Sequence, residues 1–338
     1  MQRVEAKRVE RAVRVLYRAA AAVGLFWYGL AALPAHSAEE YPSRPVRLVV
    51  PFPAGGPTDV VGRLFAEKLT AIWGKQVIVD SRPGASGTIG ADIVAKSNPD
   101  GYTILFGSTS TFAVNSVVLK KLPYDIIRDF SLIGLASNGP HVLMVRAGFP
   151  AKTALDLIAL AKKQPGKLKY GSAGAGTIIH MSAELFKHQA AVDIAHVPYK
   201  GGAPTVVALL GGEVDLIIND LSVVLPHVKS GNGVALAAAH TSRLRPLPDV
   251  PTFAEIGLPG IVASTWFGVA VPVKTPPQVI ARIAAAHGQV VQREDYKQRL
   301  ATLAMEPLIL TPEQTSAFLK REIDKWQKVV DAAGIKID

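Results

Sequence analysis

Short hydrophobic runs alternate with longer stretches of helical periodicity along most of this chain. A run of about five apolar residues predicts a buried strand, and apolar residues spaced three or four apart predict a helix. This alternation is typical of a parallel sheet covered by helices. The predicted strands are 46–50, 77–79, 102–106, 142–145, the start of 169–177, 194–197, 214–218, 233–239 and 264–271.

Three predicted helices at the end of the chain decide the expected domain organisation. Residues 277–292, 294–303 and 312–333 follow a strand that has no predicted partner near it in the sequence. The simplest packing returns these helices to the first group of strands. We therefore expect an α/β protein of two lobes, each a mostly parallel sheet flanked by helices, with two crossovers between them. The predicted lobes are residues 39–140 with 264–338, and residues 141–263.

Glycine, serine and threonine are concentrated where the predicted strands end. In open α/β sheets, ligands bind outside the carboxyl ends of the strands. Two lobes whose polar loops face one cleft describe a clamshell binding protein that closes by hinge motion. The polar stretches are 53–58, 83–87, 107–111, 171–177 and 219–220.

The stretch 51–59 predicts an anion site. Its first residue, Pro51, ends the apolar run of a strand, because proline cannot continue a ladder. Gly55 and Gly56 allow positive φ and close approach of a bound group, and Thr58 is expected to cap the helix that follows. A helix N-terminus presents unpaired N–H groups and positive partial charge. We therefore expect this turn to hold a carboxylate.

The first 38 residues have the three-part layout of an export signal. Six basic side chains precede residue 19, an apolar run covers 19–33, and small residues lead to Ala38, after which we place cleavage. The apolar run is short for a helix that spans a bilayer. A permanent N-terminal anchor helix is the alternative interpretation.

Composition excludes several classes of function. The chain contains no cysteine, which excludes disulfides, a thiolate nucleophile, cysteine-based metal sites and a lipid-modified cysteine. The net charge of +10 is scattered along the chain and includes no long run of Lys or Arg residues. We therefore expect no nucleic-acid partner.

Motifs for nucleotide binding and for hydrolysis are absent. The phosphate-loop pattern and the hydrolase elbow G-x-S-x-G do not occur, and the dinucleotide fingerprint that starts at Gly174 has Ile179 in place of its last glycine. His180, Glu184 and His188 are spaced for one helix face, either as metal ligands or as ordinary surface pairs. We expect no catalytic residue, no cofactor and no metal.

Four residues have two interpretations each. Phe52 belongs to the core or to the cleft wall, and Trp266 to the cleft wall or, as we favour, to hinge packing. His180 orients the neighbouring glycine loop or lies on the surface. Asp220 ends a strand of the second lobe and meets a ligand amine or hydroxyl in the cleft, because unpaired burial is costly, or it lies in an exposed loop.

Six motifs that occur in order are specific together, although each is weak alone. They are 41–46 (YPSRPV), 51–59 (PFPAGGPTD), 98–103 (NPDGYT), 171–174 (GSAG), 197–202 (VPYKGG) and 248–252 (PDVPT). From about residue 40 to its end, the chain resembles the Bug family, the periplasmic solute receptors of tripartite tricarboxylate transporters. The resemblance implies a type II periplasmic-binding-protein fold without catalysis. It also implies a carboxylate ligand, which is a di- or tricarboxylate, an acidic amino acid or an aromatic acid.

The resemblance further implies that two loops, one in each lobe, bind the ligand carboxylate through backbone N–H groups, hydroxyls and water. The ligand-binding residues it implies are Phe52, Ala54, Gly55, Gly56, Thr58, Ser108, Thr109, Ser172, Gly174, Ala175, Gly176, Thr177 and Asp220. The expected protein is a periplasmic monomer that delivers its ligand to membrane permease subunits. A ligand sensor for a membrane kinase and an exported hydrolase are the alternatives.

Overall fold

The computed structural model describes residues 41–335 and 337, together with residues 9, 11 and 13. The chain divides into two units, Met1–Tyr41 and Pro42–Asp338. The predicted export signal at 1–38 and its cleavage site lie almost entirely outside the described residues. Within the described residues, no helix combines the length and the hydropathy that crossing a membrane requires.

Strands and helices alternate through the second unit, as the hydrophobic pattern predicts. The strands are β1 (Val46–Val50), β2 (Val77–Ser81), β3 (Thr103–Ser108), β4 (Phe130–Arg146), β5 (Lys169–Ser172), β6 (Ala195–Pro198), β7 (Leu216–Asp220), β8 (Gly233–Ala238) and β9 (Ser264–Pro272). The helices are α1 (Pro57–Trp73), α2 (Thr88–Ala95), α3 (Asn115–Val118), α4 (Ala154–Lys163), α5 (Ile178–Ala190), α6 (Gly202–Leu210), α7 (Leu221–Lys229), α8 (Pro277–Gln292), α9 (Glu294–Thr302) and α10 (Pro312–Ala333). One π-helical turn, Ser110–Val114, precedes α3.

The strands form two parallel groups that are joined by two longer antiparallel strands. β1 lies between β2 and β3 and is parallel to both, and β5 lies between β6 and β7 in the same way. β4 and β9 pair antiparallel with each other; β9 also pairs with β3, and β4 with β7 and β8. The result is the expected two-lobe α/β architecture, with a first lobe around β1–β3 and a second around β5–β8. Antiparallel pairing is confined to the two connecting strands and their neighbours.

Strand β4 is longer than the sequence pattern predicts. The apolar run 142–145 marks only its end, whereas the strand extends over 17 residues. Its first part pairs with β9 through two register shifts, between Leu132 and Gly134 and between Leu135 and Ser137, and such bulges break the alternation that would reveal a strand. The two strands pass from one lobe to the other at residues 138–141 and 263–266, which we call the crossover segments.

Helices α8 and α9 pack on the first lobe, whereas α10 contacts both the π-helical turn of the first lobe and α5 of the second. The ring of Phe65 in α1 lies 6.3 Å from that of Tyr296 in α9. Trp266 of β9 is fully buried, stacks on Phe112 at 5.8 Å, and donates its Nε1–H to Glu322 of α10. Trp266 therefore belongs to hinge packing, which is the interpretation favoured from the sequence.

Candidate ligand-binding cleft

A cleft lies where the two lobes meet, and such domain interfaces are frequent places for small-molecule sites. Loops that follow β1 and β3 form one wall, and loops that follow β5, β6 and β7 form the other, as the strand-end rule predicts. The predicted site residues that line it are Phe52, Ala54, Gly56, Thr58, Ser108, Thr177 and Asp220. The lining residues that were not predicted are Pro53, Pro57, Ser110, Ala173, Ile178, Ile179, Lys200, Gly201, Gly202, Ala203, Pro204 and Thr265.

The first-lobe turn is held from within by Asp59. Its carboxylate accepts the N–H of Gly55 at 3.0 Å, a bond from Arg63 at 2.9 Å and one from Ser81 at 3.1 Å. Burial raises the pKa of Asp59, but these hydrogen bonds outweigh it and keep the pKa below its ordinary value. Gly55, with φ of 80°, supports the turn through this bond and does not line the cleft.

Helix α1 begins at Pro57, not at Thr58. Gly56 is the N-cap residue, and Pro57 takes the first helical position, where its fixed φ and missing N–H are both tolerated. The prediction that Thr58 caps this helix is therefore wrong, and Thr58 lies in the first turn. No side chain of the described residues caps the helix, so its first-turn N–H groups lack a capping acceptor there, at the edge of the cleft.

The glycine loop of the second lobe, residues 172–177, uses most of its polar groups internally. Ser172 Oγ lies 2.6 Å from His196 Nε2 and accepts the N–H of Gly174. The N–H of Gly176 donates to His180 Nδ1 at 3.2 Å, and Thr177 caps α5. Among these residues, Thr177 lines the main cleft and Gly174 a neighbouring part of the interlobe space.

His180 orients this loop, which was one of its two interpretations. Its ring is buried and stacks on His196 at 4.2 Å between ring centroids. Burial and the neighbouring His196 lower the pKa of His180 to about 4, so the ring is neutral and its Nδ1 accepts from Gly176. His188 is exposed, and within the described residues no group of three His, Asp or Glu side chains is placed to hold a metal ion.

The N-terminus of α6 is the second-lobe feature that sequence reasoning did not assign. Gly201 has φ of 111° and serves as the N-cap without any side-chain acceptor. Lys200, Gly201 and Gly202 all line the cleft. The sequence contains a local signal for this site, because Gly201 and Gly202 follow a strand and open a helix, as Gly55 and Gly56 do.

The two lobes touch directly beside the cleft. The N–H of Ile178 in the second lobe donates to Ser110 Oγ in the first lobe at 2.9 Å. The hydroxyl of Ser86 in the first lobe donates to the carbonyl of Ala175 in the second. These bonds describe a closed arrangement.

Four consecutive hydroxyl residues, Ser108 to Thr111, lie at the end of β3 and in the turn after it, and the first three have different roles. Ser108 and Ser110 line the cleft. Thr109 faces the crossover segment instead, where its Oγ1 accepts the N–H of Trp266 at 2.8 Å. The family resemblance singled out Ser108 and Thr109, whereas the π-helical turn that begins at Ser110 brings Ser110 into the wall.

Asp220 lies in the cleft wall and is only 3% exposed, which excludes the exposed-loop interpretation. Burial raises its pKa to about 7. Lys200 is the one basic side chain among the described residues that line the cleft. The cleft therefore combines two uncapped helix N-termini, one lysine and one buried carboxyl group.

Comparison with known proteins covers nearly the whole chain. The profile of a family described as Tripartite tricarboxylate transporter family receptor matches residues 61–335. Protein BugT of Bordetella pertussis (strain Tohama I) is 37% identical over 321 residues, which are 95% of this chain and 98% of BugT.

Two solved structures share the fold along most of the chain. R. palustris Rpa4515 with adipate is 35% identical, with a TM-score of 0.84, over 88% of this chain and 99% of that chain. MatC from Rhodopseudomonas palustris with bound malate is 31% identical, with a TM-score of 0.81, over 86% of this chain and 100% of that chain.

Proposed function

This chain belongs to the tripartite tricarboxylate transporter receptor family, whose members are periplasmic solute-binding proteins, and we propose that it binds a small dicarboxylate between its lobes. Delivery of that ligand to membrane permease subunits is the second part of the proposal. The family consists of receptors and not of enzymes, which fits a cleft that serves binding alone.

The observation that carries the proposal is the pair of helix N-termini in the cleft. Helix α1 begins after Gly56 and helix α6 begins after Gly201, on opposite lobes, and neither has a side-chain cap. Each N-terminus offers unpaired N–H groups and about half a positive charge. Lys200 adds a full positive charge to the same cleft. Two donor sites on opposite walls suit a ligand that carries a carboxylate at each end.

The related structures support the same class of ligand. Adipate and malate, which are named with Rpa4515 and MatC, are both dicarboxylates. Each could present one carboxylate to α1 and the other to the second lobe. We propose the lining residues of the two walls, together with the predicted Gly174, Ala175 and Gly176 backbone, as the ligand-binding surface.

A ligand screen tests the proposal. Residues 39–338 would be unfolded and refolded to remove any carried ligand, and then heated with mono-, di- and tricarboxylates, acidic amino acids and aromatic acids. A ligand at 100 times its dissociation constant adds about 2.7 kcal/mol to the unfolding free energy, which is a shift of roughly a few degrees. Dicarboxylates are expected to give the largest shifts. No shift with any acid would contradict the proposal.

The organisation of the exported protein completes the proposal. Residues 1–38 are removed on export, the lobes are 39–140 with 264–338 and 141–263, and the mature receptor is a monomer. N-terminal sequencing of the protein recovered from the periplasm tests the cleavage site. Light scattering of the same sample tests the oligomeric state.

A further inference from the structure

A line of four buried polar side chains runs from helix α5 to the wall of the cleft. Ser182 of α5, His141 of β4, Thr265 of β9 and Asp220 of β7 are each at most 4% exposed. His141 Nδ1 lies 2.8 Å from Ser182 Oγ, and His141 Nε2 lies 2.8 Å from Thr265 Oγ1. Asp220 Oδ1 in turn lies 3.7 Å from the same His141 Nε2. His141 and Thr265 belong to the crossover segments, so this line spans the hinge.

The positions of the hydrogen atoms along this line follow from the hydrogen bonds of Ser182. The Ser182 hydroxyl has one hydrogen and donates it to the carbonyl of Ile178 at 2.8 Å. Ser182 therefore accepts from His141 Nδ1–H. Burial and the charge of Lys325 lower the pKa of His141 to about 3, so the ring is neutral and its Nε2 carries a lone pair. That lone pair accepts the one hydrogen of the Thr265 hydroxyl.

Thr265 then has no hydrogen left for Asp220. An ionised Asp220 would receive no proton from this line, and its Oδ1 has no hydrogen-bond partner among the described residues. The basic nitrogen within 4 Å of Oδ1 is His141 Nε2, at 3.7 Å, and it carries no proton. A carboxyl group that keeps its own proton removes this conflict, because it becomes a donor.

The charges around Asp220 do not alter this conclusion. His141 of β4 is neutral, and the side-chain oxygen of the neighbouring Asn219 accepts the N–H of Asp220 at 2.8 Å. Lys200 lines the same cleft, and Lys325 of α10 acts on His141. No charged group of any packed element contributes to the pKa shift of Asp220, which burial dominates. Burial alone therefore favours the neutral acid.

We propose that Asp220 enters the binding site as a neutral carboxylic acid that donates its proton to one carboxylate of a dicarboxylate ligand, so that the site selects dicarboxylates over acidic amino acids. This inference rests on the proposed function. A neutral acid and a carboxylate form a short, charge-assisted hydrogen bond, whereas two carboxylates repel each other. An ionised Asp220 would instead attract a ligand ammonium group.

Ligand pairs that differ in one amino group separate the two states of Asp220. Malate and aspartate form one pair, and adipate and 2-aminoadipate form the other. Isothermal titration at pH 6 and pH 8, each in two buffers that hold that pH and differ in ionisation enthalpy, measures affinity and proton uptake together. We expect the member without the amine to bind at least tenfold tighter. Its affinity should fall about tenfold from pH 6 to pH 8, with uptake of nearly one proton at pH 8. Tighter binding of the amino member without proton uptake would overturn the proposal.

Two variants assign the proton to its residue. Asp220→Asn keeps a neutral donor of similar shape, and we expect it to abolish both the pH dependence and the proton uptake. Lys200→Met is the matched control, since it removes the lysine charge from the cleft and should weaken binding by the same factor at both pH values while uptake persists. An Asp220→Asn protein that still takes up a proton would refute the assignment.

The ligand-free protein gives an independent readout. Carbon-13 NMR of the aspartate carboxyl groups, with Asp220→Asn used for assignment, should show one group that titrates near pH 7. Titration of Asp220 near pH 4 would overturn the proposal whether or not any ligand binds. If no acid binds but the carboxyl titrates near pH 7, the proposed function fails and the neutral state of Asp220 stands.

Discussion

The hydrogen bond from the Ile178 N–H to Ser110 Oγ joins the two lobes at 2.9 Å, and both residues are almost fully buried. In an open form of the receptor, water would satisfy the same N–H group. Replacing Ser110 with alanine therefore removes an acceptor that only the closed form uses. The expected effect is on closure, and hence on ligand affinity, more than on the fold of each lobe.

The structure sets the size of this effect. A buried N–H group left without a partner costs about 1–3 kcal/mol. Because the ligand is enclosed only when the lobes close, that cost appears in the binding free energy. Each 1.4 kcal/mol is tenfold in affinity, so Ser110→Ala should raise the dissociation constant by about 5- to 150-fold.

Isothermal titration with the tightest ligand of the screen measures this change. Ser116→Ala is the matched control, because the Ser116 hydroxyl makes a hydrogen bond within the first lobe, where it donates to the carbonyl of Ala113. The control should bind as tightly as the wild type. Wild-type affinity of Ser110→Ala would refute the reasoning about closure.

A second variant separates closure from direct contact between Ser110 and the ligand. Ile178→Pro removes the donor, and proline is favoured at this first helical position. The preceding Thr177 has ψ of 162°, which suits a residue before proline. If this hydrogen bond stabilises the closed form, the double variant loses less binding free energy than the two single variants lose together. If the two losses of binding free energy add, Ser110 affects binding only through its own contact with the ligand.

Two further predictions concern stability. A Cβ atom on Gly90 of α2 would lie 2.7 Å from Cβ of Pro51, so Gly90→Ala should lower the urea unfolding free energy by about 1–3 kcal/mol. In α8, a Cβ atom on Gly288 would meet open space, so Gly288→Ala should raise the unfolding free energy by up to about 1 kcal/mol. Equal changes of unfolding free energy in the two variants would contradict the close packing around Gly90. The second prediction concerns His180, whose pKa is lowered to about 4 by burial, so the stability from its bond with Gly176 is lost as pH falls from about 6.5 toward 4. His180→Asn keeps an acceptor that does not titrate and should flatten this part of the stability profile, and an unchanged slope would refute the assignment.

The features that sequence reasoning predicted well are those fixed by local chemistry. The Gly55–Gly56 turn needs positive φ at Gly55 and opens a helix, and both features can be recognised from neighbouring residues, although the expected Thr58 cap is wrong. The alternation of strands and helices likewise predicts two lobes and a cleft at the strand ends. Asp220 was recognised as a cleft candidate because it ends an apolar strand.

The features that were missed depend on contacts between distant segments. The first part of β4 was hidden because its bulges toward β9 break the alternation of apolar residues. Ser110 was missed because a π-helical turn decides which hydroxyl faces the cleft. The N-terminus of α6 became a candidate only when the closed lobes brought Gly201 to the same cleft as Gly56. The neutral state of Asp220 was missed because it depends on Ser182, His141 and Thr265, which are far apart in the sequence.

The proposed function places a ligand carboxylate at the N-terminus of α1, and ligand binding by the Gly56→Asp variant tests this placement. Gly56 has φ of −77° and ψ of 168°, which any residue can adopt, and its added Cβ would meet only the carbonyl of Pro53 at 3.3 Å. Aspartate and asparagine are both favoured caps, worth a few tenths of a kcal/mol over glycine. Only aspartate places a negative charge where the ligand carboxylate would lie.

The measurement is isothermal titration of wild type, Gly56→Asp and Gly56→Asn with the tightest dicarboxylate, alongside their melting temperatures. We expect both variants to fold and to melt at temperatures close to each other, because the added Cβ meets the carbonyl of Pro53 equally in both. We expect the aspartate variant to bind at least about 100-fold more weakly, corresponding to roughly 2.7 kcal/mol, while the asparagine variant loses far less. A folded Gly56→Asp protein that binds the dicarboxylate as tightly as wild type would rule out a ligand carboxylate at this helix N-terminus.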